Sequence, residues 1–317
     1  MKLVGMRTFG LVCLLTASTT AIAGPWWTGP LLAPAGHNIP AGHTNVELYG
    51  FHTDNDGIYN RHWKLTHTAG TISDVFNPLF THGLSDKLDL QIGVPYAFNK
   101  SVRGSSHHIS DTGVTLGYQL IEQKEARFRP DVRFTLQEII PTGRFLDLNP
   151  VNNGAGSTGL GSYQTAASLN FQLLTPFTDV HYLRTRLSVS YVYASDVNLH
   201  GFSSYGGSDT TYGIIDPGNL ASLDIAGEFS LTQHWVAVME GYFAKRDSAI
   251  FRGNPGITAT GLPAAIGNDT VEEFTIAPAL EYNFNANVGI IGGVWFTLAG
   301  KDTSEFQSIV IALNAYF

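Results

Sequence analysis

Cysteine is nearly missing from this chain of 317 residues: Cys13 is its only one. Everything after it therefore lacks disulfides, thiolate-bound metals and cysteine nucleophiles. Charge is scarce as well. Charged residues make up 14% of the chain, where an ordinary soluble domain has about 25%. Beyond the N-terminal leader no apolar run nears the roughly 18 residues that a membrane helix requires, which excludes a helical membrane protein. A net charge of −8 speaks against a nucleic-acid partner, since phosphate backbones are met by basic surfaces. Nucleotide-binding and redox-cofactor motifs are missing, so no cofactor is expected. What the chain does have is glycine (34) and aromatic residues (19 Phe, 13 Tyr, 5 Trp). That aromatic content is too high for a disordered protein. With a mean hydropathy of +0.03, the composition is that of a β-rich chain whose apolar residues are spread thinly.

Residues 1–23 read as a secretory leader. Lys2 and Arg7 provide the positive start, Phe9 to Leu15 the apolar stretch, and Ala21-Ile22-Ala23 the small-residue cleavage site. Cys13 leaves with it, and Val12 stands where a lipoprotein signal needs a small residue. Residues 24–42 then form a Pro- and Gly-rich stretch without periodicity, expected to be extended. Two readings of Gly24–His43 are open: a free periplasmic tail, or a segment that brings Trp26, Trp27, Leu31 and Leu32 into the periplasmic mouth of whatever follows.

Residues 43–317 carry short alternating runs bounded by Gly, Asn, Asp, Ser or Pro. In one, Phe128, Pro130, Val132, Phe134 and Leu136 share a face, with Arg127, Arg129, Asp131, Arg133, Thr135 and Gln137 on the other. Residues 162–173 and 273–284 repeat the pattern. Such runs exceed the roughly 5–6 residues of a typical strand and suit the roughly 9–11 that a tilted strand needs to cross a bilayer. The strands are placed at 43–53, 71–84, 86–98, 110–122, 127–140, 161–174, 182–194, 219–231, 233–245, 271–284, 286–299 and 304–317. Brief connections alternate with long ones at 54–70, 99–109, 141–160, 195–218 and 246–270; the last, 300–303, is brief. The expected fold is all-β: a transmembrane antiparallel up-and-down barrel of about twelve strands with short periplasmic turns and long extracellular loops. Pro95, Pro130 and Pro278 fall inside these runs, where a closed sheet has no edge to hide a missing N–H, so bulges or boundaries are expected there. Aromatic residues beside the short turns (Phe128, Phe229, Trp235, Tyr282, Phe284, Tyr316) suit an interfacial girdle.

The blocks Phe80–Phe98 ("FTHGLSDKLDLQIGVPYAF"), Pro130–Phe145 ("PDVRFTLQEIIPTGRF") and the later "EYNFNANVGIIGGVWF" resemble an outer-membrane family named for the meta-pathway of phenol degradation. The shared features are a Gly-Leu-Ser-Asp turn, a Pro-Thr-Gly closing a strand, and an aromatic C-terminus. Where members often have a Gly-x-Gly-Asp turn, this chain reads Ile109-Ser110-Asp111-Thr112-Gly113. The resemblance implies an outer-membrane barrel of a Gram-negative bacterium that moves small, often hydrophobic compounds. The last strand, ending on Phe317, resembles the signal read by the barrel-assembly machinery. Lipid and lipopolysaccharide are the further expected partners, beside a small-molecule solute.

If the apolar face meets lipid, the polar face lines the lumen. The candidate lumen and selectivity residues are Arg127, Arg129, Arg133, Arg184, Arg186, Asp224, Glu228, Glu273 and Glu281. As opposed cationic and anionic walls they would set selectivity; as pairs they would brace the barrel. The expected function is passive movement of small solutes, hydrophobic or aromatic ones among them, through a narrow charged lumen. One alternative is a lipid hydrolase using His108 and Ser110, whose His-x-Ser spacing suits an activated serine, although Asp111-Thr112-Gly113 departs from the phospholipase pattern. A structural or adhesin barrel is the other. No catalytic or metal site is otherwise expected.

Overall fold

A computed structural model of the chain describes residues 24–124, 129–152 and 154–317; the leader, Cys13, Arg127 and Phe128 lie outside the described residues. β1 (Thr44–Tyr59) and β2 (Leu65–Ser85) form the first hairpin. β3 (Leu88–Gly93) and β4 (Tyr96–Ser101) are two halves of one wall strand, as are β5 (Gly104–Ile109) and β6 (Thr112–Ile121). β7 (Asp131–Ile140), β8 (Gln164–Pro176) and β9 (Tyr182–Ala194) follow. β10 (Val197–His200) and β11 (Tyr212–Asp216) leave the wall, and β12 (Leu220–Ser230) and β13 (Trp235–Arg246) rejoin it. β14 (Ile250–Asn254) leaves again before β15 (Val271–Asn283), β16 (Val288–Lys301) and β17 (Thr303–Tyr316) complete the wall.

All pairings are antiparallel, and β1 bonds to both β2 and β17, closing a twelve-stranded barrel. Apart from β5, which pairs with β4 alone beyond the ring, closure gives each wall strand a neighbour on both sides, the condition for crossing lipid. Large apolar side chains such as Phe80, Leu136, Val189, Ile225, Met239 and Ile309 point outward and are exposed on the barrel surface, as a lipid-facing wall requires. The rim at the short turns carries aromatic rings in contact: Trp235 and Tyr282 lie 4.7 Å apart, and Tyr282 and Phe284 5.1 Å.

The prolines sit where the ladder lapses. β2 pairs with β4 as far as Phe76↔Tyr96 and with β3 from Leu79↔Gly93 onward, so Pro78 and Pro95 both fall at the hand-over. Pro95 keeps its acceptor role: the Ser110 N–H donates to its carbonyl at 2.8 Å. Pro278 lies between Ile276↔Phe296 and Ala279↔Gly293, where pairing to β16 is interrupted. Pro130 precedes β7 altogether.

Two of the expected long loops are not loops. β1 and β2 run past residues 54–70 with only 60–64 between them, and β4 and β5 meet around residues 102–103. Their exposed positions carry polar residues such as Asp54, Asp56, His67, Lys100 and His107, so they lack the apolar–polar contrast that alternation reads. The segments 141–163, 195–219 and 247–270 are genuine excursions that fold together. β10, β11 and β14 form a separate sheet, whose Val197, Leu199 and Ile215 are buried against Tyr205 of the same excursion and Phe145 and Phe251 of the other two.

Candidate functional site

Residues 24–43 lie inside the barrel as an arc along its inner wall, and their backbone is held by side chains that the wall strands point inward. The arc starts at the short-turn rim, where the Trp26 N–H donates to the Gln233 carbonyl at 3.1 Å and the Trp26 ring meets His234 at 4.7 Å. On β15, Glu281 accepts from the Thr28 and Gly29 amides, and Asn283 donates to the Trp26 carbonyl at 3.0 Å. On β13, Glu240 accepts from three consecutive amides, those of Leu31, Leu32 (2.9 Å) and Ala33 (2.8 Å). Arg186 of β9 then donates to the Ala33 carbonyl at 3.0 Å. Gln119 of β6 donates to the Gly36 carbonyl at 3.0 Å and accepts from the Asn38 amide at 2.7 Å. Asp89 of β3 accepts from the Ile39 amide at 2.9 Å. At β2 the arc closes onto the wall backbone, the Gly42 N–H donating to the Gly83 carbonyl at 2.9 Å and the Gly83 N–H to the His43 carbonyl at 3.0 Å. The partners thus follow the order of the wall itself, β15, β13, β9, β6, β3, β2.

An irregular segment inside a barrel brings backbone N–H and C=O groups with no ladder to join, and each one left unpaired costs about 1–3 kcal/mol. The inward carboxylates and amides supply the missing partners. Gly83 makes the close approach feasible, since a Cβ there would lie 1.9 Å from the Pro40 carbonyl oxygen. The apolar side chains of the arc find an apolar patch: Leu31, with Trp27 and Leu32, packs on Tyr49, Val236, Val238, Ala277, Ile291, Val310 and Ala312. This is the principal hydrophobic core of the described barrel interior, and every buried member but Leu31 comes from a wall position on the inward face, the one expected to be polar.

Of the candidate charges, Arg133, Arg184 and Arg186 meet carboxylates nearby on the wall, while among the described residues no ion pair holds Asp224, Glu273 or Glu281. Arg184 and Arg186 of β9 both meet Glu228 of β12, Arg184 through its Nε at 2.8 Å and Arg186 through its Nε at 3.1 Å. Register places them there, with Glu228 opposite Arg184 and Ala226 opposite Arg186. Arg184 also stacks its guanidinium 4.5 Å from the Trp27 ring centroid. Arg133 pairs with Asp89, both buried. Gly117 clears the room for that pair, since a Cβ there would come within 2.2 Å of the Arg133 guanidinium and 2.3 Å of the Asp89 carboxylate. Asp224 is buried, with Oδ1 lacking a hydrogen-bond partner. Glu273, higher on β15, accepts from the Thr303 hydroxyl at 3.5 Å.

Arg129 is a correction: it is exposed in the connection ahead of β7, which begins at Asp131. The alternation of 127–137 continues past the end of the ladder because Pro130 has no N–H to extend it. His108 is exposed on β5, its Nδ1 3.1 Å from the Ile109 carbonyl. Ser110 engages through its backbone, its carbonyl accepting from the Thr142 hydroxyl at 2.8 Å. Sequence reasoning missed Glu240, Asp89 and Gln119. For Glu240 a signal exists: it is the one acid in Trp235–Phe243, a strand apolar on both faces.

A cavity of about 590 Å³ remains between the arc and the wall, bordered by Glu47, Gln91, Arg133, Arg184, Arg186 and Asn314 among others. A second, of about 330 Å³, lies against Leu31 and Leu32 on the other side of the arc.

No family model and no curated protein sequence matches this chain. Among solved structures, an outer membrane channel from Pseudomonas putida F1 aligns with a TM-score of 0.71 at 14% identity, over 90% of this chain and all of that one (100%). The NanC porin aligns with a TM-score of 0.43 at 9% identity, over 85% of this chain and 98% of that one. A TodX monoaromatic hydrocarbon channel mutant aligns with a TM-score of 0.34 at 11% identity, over 88% and 90%. The first likeness is one of fold: this chain and the Pseudomonas putida channel share a barrel.

Proposed function

We propose that this chain is an outer-membrane channel for passive movement of small solutes, with a lumen narrowed by its own N-terminal segment. The observation that carries the reading is the arc of residues 24–43, held inside a closed transmembrane barrel by Glu281, Glu240, Arg186, Gln119 and Asp89. A barrel of twelve strands stands between eight-stranded ones filled by side chains and those of about 16–18 strands with open channels. In it, a segment along the wall sets how much of the bore stays open. The resemblance to the meta-pathway family and the fold shared with the Pseudomonas putida channel support the outer membrane as its place and transport as its role. Residues 1–23 serve as the cleaved leader in this reading, and the strand ending at Phe317, which joins Thr44 at the barrel seam, serves as the assembly signal.

The test is solute permeability of liposomes carrying the protein from Gly24 onward, measured with uncharged solutes of graded size. Permeability that falls off sharply with solute size supports a narrow channel. Liposomes as tight as protein-free ones, for every solute and for the chain lacking residues 24–42 as well, would overturn it.

A further inference from the structure

The second cavity has a chemistry distinct from the polar one. Its walls are Tyr49 and Phe51 of β1, Tyr242 of β13 and Trp295 of β16, with Leu31 and Leu32 of the arc beneath them, and one carboxylate, Asp224, reaches it. Most buried polar groups here are satisfied: the Trp295 indole N–H donates to the Thr275 hydroxyl at 2.8 Å. The Asn77 Oδ1 is one exception; the charged one is Asp224. It is 6% exposed, and its Oδ1 has no hydrogen-bond partner. The nearest guanidinium on the neighbouring strand, that of Arg186, is already committed to Glu228 at 3.1 Å and to the Ala33 carbonyl at 3.0 Å. On the strand's other side Asp224 faces Tyr242, and on β9 it faces Ser188, neither of which brings positive charge.

A buried carboxylate without a cation is costly. Aromatic faces grouped around it favour positive charge, because the ring quadrupole attracts a cation near the ring face. The volume of about 330 Å³ is at the small end of the roughly 300–1,000 Å³ of organic-ligand sites. We infer that the aromatic cavity at Asp224 binds a small organic cation, an ammonium group with an apolar body, with the charge at the carboxylate and the body against Tyr49, Trp295 and Leu31. The inference rests on the channel reading only in making this cation a solute that passes; binding itself does not require a pore. Since the arc forms the floor of the site, the ligand and residues 24–42 are coupled.

The test is binding of benzyltrimethylammonium to the detergent-solubilised barrel by calorimetry, with the uncharged isostere neopentylbenzene as comparison and Asp224→Asn as the variant. Saturable binding is expected for the cation, about tenfold or more weaker in the variant, and weaker again without residues 24–42. Equal affinity for cation and isostere in the unaltered protein, which needs no variant to fold, would overturn the inference, as would undiminished binding by folded Asp224→Asn. Cation binding by a barrel that passes no solute would leave the site standing and remove the channel.

Discussion

Glu240 is the point at which the arc is most open to perturbation. Its carboxylate accepts from the amides of Leu31, Leu32 and Ala33 while being 1% exposed. A hydrogen bond to a charged group contributes about 1.5–3 kcal/mol. Glu240→Gln keeps one carbonyl acceptor but turns an NH₂ toward an amide N–H, and three bonds on one group are not additive. The expected loss is about 3 kcal/mol, or roughly 100-fold in the population with the arc released. The reporter is a thiol placed by Ala33→Cys, a position 4% exposed. Because Cys13 is the only native cysteine, a chain begun at Gly24 carries no competing thiol. Maleimide labelling should be slow in the Glu240 protein and on the order of 100-fold faster with Glu240→Gln, both barrels staying folded by heat-modified gel mobility. Equal labelling rates would show that these bonds do not hold the segment.

Further outcomes follow from the same geometry. Arg133→Ala strands the buried Asp89 carboxylate and should lower barrel stability by about 3–5 kcal/mol, read by urea unfolding, whereas Arg129→Ala, on an exposed connection, should change it by less than about 0.5 kcal/mol. Gly83→Ala puts a Cβ against the Pro40 carbonyl and should speed labelling of the Ala33→Cys thiol without unfolding the wall. His37 lies 3.6 Å from Asp131, and the attraction of that carboxylate holds its pKa above the ordinary histidine value. The pair's contribution is full below that ordinary value and lost as pH rises through the raised one, so labelling, taken relative to a free thiol at the same pH to remove the thiolate's own titration, should quicken on going from acid to alkaline pH. The change should be no more than about fivefold, since His37 is half exposed and such pairs contribute about 0–1 kcal/mol; with His37→Ala it should vanish. In the barrel lacking residues 24–42, Glu240 and Glu281 lose the amide donors that hold them and face the bore as free carboxylates beside Asp224, so a salt gradient should give a reversal potential of cation preference.

The wall was legible in the sequence because lipid outside and polar groups inside leave a period of two in every crossing strand. Above the bilayer the outer face meets water in place of lipid and turns polar, and there the signal vanished: the extensions of β1, β2, β4 and β5 read as loops. Inside, the polar-face rule held for Arg133, Arg186 and Glu228 but not for Val236, Val238, Ala277, Ile291, Val310 and Ala312. Those positions are apolar because a chain segment from far away in sequence, carrying Trp27 and Leu31, covers them. The pairing of Arg184 and Arg186 with Glu228 depended on β9 lying beside β12 in one register across the excursion at 195–219, which no local pattern encodes. The unusual feature of the arc, two adjacent tryptophans in a Pro- and Gly-rich stretch, was visible; the side chains that hold its backbone were not, because amide-to-carboxylate contacts leave no trace in the residues that donate.

The most direct measurement of the central claim is single-channel conductance in planar bilayers of the chain from Gly24 and of the same chain without residues 24–42. The account predicts discrete steps that grow clearly when the arc is removed, with the barrel still folded. Steps of the same size in both forms would mean that the arc does not narrow the conducting path, and silence in both would mean that the barrel is not a channel.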